Sequence, residues 1–199
     1  LGVFKNLKKH IMKKLFIALM TTLSVATFAQ DKLTTTSGHI KFFSTTPAEN
    51  IESNNYKVVS AITPSEGKVV FSVPMQSFEF EKSLMQKHFN SDKFLDTKQF
   101  PNAKFKGSIT NLSKVDFFNK GSYVATVKGQ LTIHGVTKPI EQEMKLNVDG
   151  TKITGFSNFD ITLADYGITF SGGKPSTNIA KTVNVTVNLE FNNNLTASK

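Results

Sequence analysis

Residues 123–148 read YVATVKGQLTIHGVTKPIEQEMKLNV, and two alternations inside that stretch decide the fold. In the first, Ala125, Val127, Gly129, Leu131 and Ile133 take turns with Val124, Thr126, Lys128, Gln130 and Thr132. In the second, Ile140, Met144, Leu146 and Val148 take turns with Glu141, Glu143, Lys145 and Asn147. Successive side chains of a strand point to opposite faces, so each half lays an apolar row on one side of a sheet and a polar row on the other. Residues 134–139 separate the halves. They hold Gly135, which tolerates positive φ, and Pro139, which has no donor for a ladder, so they predict a hairpin loop.

The same period recurs on both sides. Ile40 and Phe42 mark a strand over 39–46; Tyr56, Val58 and Ile62 mark one over 56–62; Val69, Phe71 and Val73 mark one over 68–73, after a turn at 64–67. Ala103, Phe105, Gly107 and Ile109 set a strand over 103–112, and Ile153, Phe159, Ile161 and Leu163 set another over 152–163 with a bend at Gly155. Val183, Val185, Val187, Leu189 and Phe191 close the chain, which makes eight strands with the opening pair. Only 76–99 breaks the rhythm. Phe78, Phe80, Leu84, Met85, His88 and Phe89 recur at helical spacing and predict a short helix near 82–90, an apolar-faced excursion over one end of the sheet whose Phe and Met residues read mainly as core packing.

Eight antiparallel strands leave exposed edges unless they close on themselves, so the expected fold is all-β: an eight-stranded antiparallel barrel with one helical excursion between its third and fourth strands. Such a barrel is just wide enough to be filled by side chains or to hold one small ligand. Strands of this length span roughly 25 to 35 Å, so a lumen would be deep and narrow. Lined by Phe, Val, Ile and Leu, it suits an elongated apolar guest, each buried CH₂ contributing about 0.8 kcal/mol. Alternation does not say which row faces inward, and an outer-membrane barrel has the same period inside out. That arrangement favours aromatic girdles at both interfaces, and this chain has no Trp and only three Tyr.

Composition fits one globular domain over 30–199, with 39% hydrophobic and 20% charged residues in a chain of 199. Eighteen Phe and no Cys make Phe the main large core residue and rule out disulfides, thiol nucleophiles and cysteine metal sites. Residues 1–29 have the pattern of a signal peptide: a basic segment with Lys5, Lys8, Lys9, Lys13 and Lys14, an uncharged apolar run over 15–26, and small residues at Thr27 and Ala29 ahead of an expected cleavage. A spanning helix needs about 20 apolar residues and the run is shorter, so no membrane anchor is expected after cleavage. Met12 is a more usual beginning than Leu1, which makes 1–11 an upstream start artefact on this reading. The expected location is the periplasm or outside the cell. The formal charge of +9 includes those five lysines, and without them 19 lysines face 15 carboxylates, a net of +4 spread singly over polar strand positions. No clustered basic footprint remains, so a nucleic-acid partner is not expected.

The stretch VKGQLTIHGVTKPI over 127–140 resembles the signature hairpin of the YceI-like family, the bacterial lipid- and polyisoprenoid-binding proteins with a lipocalin-like barrel. HFNSDKF at 88–94 leading to FPNAKF at 100–105, DYGI at 165–168 and the closing strand over 183–191 resemble further segments of that family. The resemblance implies an exported lipocalin-like β-barrel that carries, stores or senses a long isoprenoid or related amphipathic lipid, a quinone-like molecule included. It implies no enzymatic activity and no cofactor beyond that bound lipid. The chain departs from the family's usual opening strand at 37–44 and has Ala164 where the family often has Arg, two positions that bear on the headgroup. Candidate lining residues are Phe42, Val58, Phe71, Phe105, Ile109, Val127, Leu131, Ile133, Met144, Leu146, Val185, Val187 and Leu189, of which about half are expected to touch a guest and the rest to be filled core. The competing reading is a barrel packed solid, acting through its surface as an interaction module; a homodimer is compatible with either.

The residues themselves offer little for catalysis. His10, His39, His88 and His134 have no metal-ligand spacing, and His134 reads as a turn residue. Asp160 and Asp165 are explained by a polar strand position and a turn cap, and no nucleophile elbow or phosphate-cradling loop is present.

Overall fold

The inward and outward rows become walls once the strands pair. The computed structural model describes residues 32–46, 49–169, 180–193 and 195. Within them run β1 (Leu33–Thr45), β2 (Asn50–Thr63), β3 (Lys68–Pro74), the two-residue β4 (Glu79–Phe80), the helix α1 (Ser83–Asn90), β5 (Asn102–Ile109), β6 (Gly121–Ile133), β7 (Val136–Val148), β8 (Lys152–Thr162) and β9 (Thr182–Asn192). The sheet runs in the order β1-β9-β8-β7-β6-β5-β3-β2, every pair antiparallel, and β1 also pairs with β2, so eight strands close into a barrel. The small β4 joins β2 beyond the end of β3, at Ser53↔Phe80 and Asn54↔Glu79. The expected leader at 1–29 lies outside the described residues.

Helix α1 falls at Ser83–Asn90, where helical spacing placed it. Three strand boundaries differ most from the sequence expectation. β1 begins at Leu33 and β2 at Asn50, each six residues earlier than apolar alternation indicated. In the extra length of β2 the inward positions include Ser53 and Asn55, both fully buried, so no apolar row announces the strand. Their polar groups are satisfied by the excursion and by the end of β3, Ser53 Oγ donating to the Glu79 carbonyl at 2.8 Å and Asn55 Nδ2 to the Pro74 carbonyl at 2.8 Å. The third boundary is the hairpin. Its turn is only His134–Gly135, with φ of 51° and 77°, the double positive φ of a type I′ turn, and Pro139 lies inside β7 opposite Gln130. Pro is tolerated there because Ile133 and Val136, flanking a two-residue turn, exchange both bonds; alternation then aims the nitrogen of residue 139 away from β6.

All the apolar rows face inward: Val58, Val69, Ala125, Leu146, Ile153 and Phe191 are buried, while Lys104, Lys106, Lys128 and Lys145 stand outside. This is the reverse of a membrane barrel. One end of the barrel is solid. There Leu33, Val58, Ile62, Val69, Ile109, Leu146, Val148, Ile153, Leu189 and Phe191 pack together, with Phe117 contributed by the β5–β6 connection. Midway along the wall Gly107 and Gly129 are direct cross-strand partners on β5 and β6.

At the solid end the β7–β8 turn is fastened by Asp149, whose Oδ1 accepts from the Lys152 N–H at 2.7 Å and the Thr151 N–H at 3.0 Å. The Lys152 bond, opposed by some desolvation, holds the carboxyl below its usual range. A depressed folded value stabilises the protein above the unfolded carboxylate pKa of about 3.9, and the contribution is lost as pH falls through the folded value. Asp149→Ala is therefore expected to lower the melting temperature at pH 7, with the gap from wild type shrinking as the pH is taken below that range. A gap that does not change with pH would assign the effect to something other than this carboxylate.

Candidate functional site

At the opposite end the strands do not fill their own lumen. A cavity of about 1040 Å³ occupies that half of the barrel. Its walls are inward rows: Ile40 and Phe42 of β1, Phe71 and Val73 of β3, Ala103 and Phe105 of β5, Val127, Leu131 and Ile133 of β6, Ile140 and Met144 of β7, Phe159 and Ile161 of β8, and Val183, Val185 and Val187 of β9. Ser44, Gln142 and Ser157 are the polar side chains among these inward positions. The Ser157 hydroxyl is already engaged, donating to the Glu143 carbonyl at 2.7 Å.

The excursion between β3 and β5 roofs this end. Phe89 of α1 is buried and has its ring centroid 5.7 Å from Phe42, 5.5 Å from Phe78, 5.0 Å from Phe80 and 6.4 Å from Phe94. Phe42 in turn meets Phe78 at 5.3 Å and Phe80 at 5.6 Å, so five rings weld the excursion to β1 in the tilted and offset geometries aromatic pairs prefer. A second anchor lies across the mouth. Phe100 packs edge-on against His134 at 4.6 Å and so close over Gly135 that a Cβ there would stand 2.7 Å from its ring. The histidine–glycine pair thus provides both the turn and a flat seat for the roof.

Among the described residues, most of the charge gathers at the rim. Lys82, Lys87, His88, Lys93 and Lys104 border the cavity there together with Glu49 and Asp92, while Glu143 meets it farther down β7. Lys82 is bonded to Glu49 at 2.6 Å, and that hydrogen bond with its ionic attraction raises the ammonium above its ordinary pKa. An apolar shaft under a charged rim can hold a hydrocarbon chain by burial while leaving a polar head in water. Among the described residues no three His, Asp or Glu gather as a metal site. Asp160 is bonded to Asn184 at 2.8 Å on the outer wall, and His39 stacks on Tyr56 at 4.5 Å there.

Of the thirteen residues proposed from sequence, Phe42, Phe71, Phe105, Val127, Leu131, Ile133, Met144, Val185 and Val187 border the cavity. Val58, Ile109, Leu146 and Leu189 point inward too, but in the solid half, where they are at most 5% exposed and pack on one another's neighbours. Sequence reasoning missed Phe159, Ile161 and Val183, which share the phase of residues already chosen, and the roof residues Phe78, Phe80, Phe89 and Phe94, which lie where the period breaks down.

A family model described as the YceI-like domain matches residues 19–191. Curated relatives include a UPF0312 protein of Shewanella denitrificans, 31% identical over 58% of this chain and 60% of its own length, and one of Pseudomonas fluorescens, 31% identical over 65% of each. The chain thus spans about three fifths of the length of these curated relatives. Among solved structures, a polyisoprenoid binding domain from Saccharophagus degradans implicated in plant cell wall breakdown superposes with a TM-score of 0.68 at 16% identity, covering 81% of this chain and 98% of that one. Burkholderia cenocepacia BcnA superposes with a TM-score of 0.64 at 17% identity, covering 77% and 95%. At these identities the likeness is one of fold.

Proposed function

Because the chain belongs to the YceI-like family of closed antiparallel barrels, we propose that it is an exported, non-catalytic protein that holds a long isoprenoid or related amphipathic lipid, with the hydrocarbon chain in the open half of its barrel and the polar head at the charged rim. The observation that carries this reading is the cavity itself. Its volume of about 1040 Å³ stands at the top of the range usual for ligand sites, roughly 300 to 1,000 Å³, and its walls are Phe, Ile, Leu, Val and Met. A solid interaction module has no use for such a space. The solved domain described as polyisoprenoid binding supports the ligand class, and the basic and apolar pattern over 1–29 supports export to the periplasm or beyond. Carriage, storage and sensing are all served by the same retention.

The test is binding of a defined isoprenoid. Delipidated protein is expected to take up retinol with a rise in melting temperature and in retinol fluorescence. Leu131→Trp places an indole in the shaft and displaces a few methylene equivalents, weakening binding by about 2 kcal/mol, or roughly thirtyfold in Kd. The empty variant should melt at or above the wild-type temperature, since the new ring enters vacant space. Native mass spectrometry of protein from its own host should reveal a co-purifying long-chain lipid. No retinol uptake and no extracted lipid would sink the proposal, and a mature N-terminus far from Gln30 would remove the export step.

A further inference from the structure

We propose that the lipid enters and leaves sideways, through a slot in the barrel wall between the mouth halves of β7 and β8. This rests on the lipid-binding reading and adds a route to it. β7 has 13 residues and β8 has 11, yet they pair only from Lys145↔Phe156 to Val148↔Ile153, next to the solid end. Their other neighbours follow them almost throughout, β6 pairing with β7 from Gly121↔Val148 to Ile133↔Val136 and β9 with β8 from Lys152↔Asn192 to Thr162↔Thr182. The wall therefore forks, and the fork opens toward the end that holds the cavity.

The sequence builds this fork at identifiable positions. From the hairpin register, residues 137, 139 and 141 aim their backbone groups toward β8, and at the middle of the three stands Pro139, with no donor to give. At the apex the Ser157 side chain donates to the Glu143 carbonyl at 2.7 Å, taking up a backbone group that the ladder leaves free. At the far end Gly167, just after the turn Leu163–Tyr166, lies so near Val136 that a Cβ there would touch its Cγ2 at 3.7 Å, which bounds the slot.

The slot communicates with the lumen. Ile140 and Gln142 on one side and Phe159 and Ile161 on the other border the cavity, and so does Glu143, which belongs to the outward row of β7 and is exposed. The inner lips are mostly apolar, whereas Thr137, Glu141, Asn158 and Asp160 line the outside. A lipid can thus slip its chain between the strands while its head stays in contact with polar groups and water. Passage end-on would require the packed rings of the roof to part. A partner strand adding to the free edge is disfavoured by Pro139, which interrupts the row of donors such an edge must offer.

The chain has no cysteine, so thiols can be placed cleanly. Glu141→Cys combined with Asp160→Cys would be bridged across the slot by a bis-maleimide with a cleavable disulfide in its linker, and retinol exchange followed by stopped-flow fluorescence. Bridging is expected to slow uptake and release together by roughly tenfold or more, leave Kd unchanged, and be undone by reduction of the linker. Each single variant capped with N-ethylmaleimide carries the substitution and the adduct without the tie, and the slowing is measured against these capped singles. Glu143→Cys with Asn158→Cys, nearer the apex, offers a second bridge should the first pair fold poorly. Retinol that binds but exchanges at an unchanged rate after bridging overturns the slot alone, whereas retinol that fails to bind the unbridged protein overturns the lipid reading and the slot with it.

Discussion

Phe89→Ala is expected to lower stability by about 3 to 5 kcal/mol, the cost of deleting a buried phenyl ring and leaving a void that its surroundings close only in part. The ring is the hub of the roof, within 6.4 Å of four other phenylalanines, so its loss removes packing from Phe42, Phe78, Phe80 and Phe94 at once. Two effects should separate in the measurement. Urea denaturation should report the lost stability, and retinol should bind more weakly because Phe89 borders the cavity and its ring is gone. Leu84→Ala on the same helix is the control: Leu84 is 61% exposed and should change stability by about 0.5 kcal/mol or less. Equal effects at the two positions would mean that α1 is held by something other than the ring cluster.

Gly129→Val should cost about 3 kcal/mol or more, because overpacking here meets backbone that cannot retreat. A Cβ at residue 129 would lie 2.4 Å from the Lys106 carbonyl oxygen and 2.5 Å from the Gly107 Cα, and the Phe105 ring stands 2.7 Å away. The paired glycines let β5 and β6 approach closely and let Phe105 lie across them, filling width that two missing side chains would otherwise leave empty. Gly155→Ala is the contrasting change. Its Cβ would meet the Met144 sulfur at 3.3 Å, a flexible side chain that can shift, and the expected cost is about 1 kcal/mol or less. Thermal melts of both variants decide the point, and a mild Gly129→Val would show that the two strands can part without loss.

The barrel was legible because its walls alternate with a period of two, and where alternation failed the boundaries failed with it. Ser53 and Asn55 hid the start of β2 because buried polar groups satisfied by the Glu79 and Pro74 carbonyls look, in sequence, like loop residues. Pro139 made the hairpin loop look six residues long, since a proline at an edge position is indistinguishable from one in a turn until register is known. For the site, alternation told which side of the wall a residue faces but not how far along the barrel it lies. Phe71 and Val58 both point inward; only tertiary packing puts the first on the cavity and the second in the solid half. From sequence the roof reads as an excursion over one end and its phenylalanines as ordinary core, because a residue that packs beneath and borders a void above carries the same sequence signal as one packed all round.

The barrel's two unlike halves amount to a division of labour along its axis. The half around Phe191 and Leu33 supplies cohesion and tolerates little drift, for each of its side chains is wedged among others. The half around Phe105 and Val185 faces vacant room, so its residues can grow, shrink or change shape at small cost to the framework. Descendants of such a scaffold can exchange one cargo for another by altering the upper walls, while the lower walls keep every version folded.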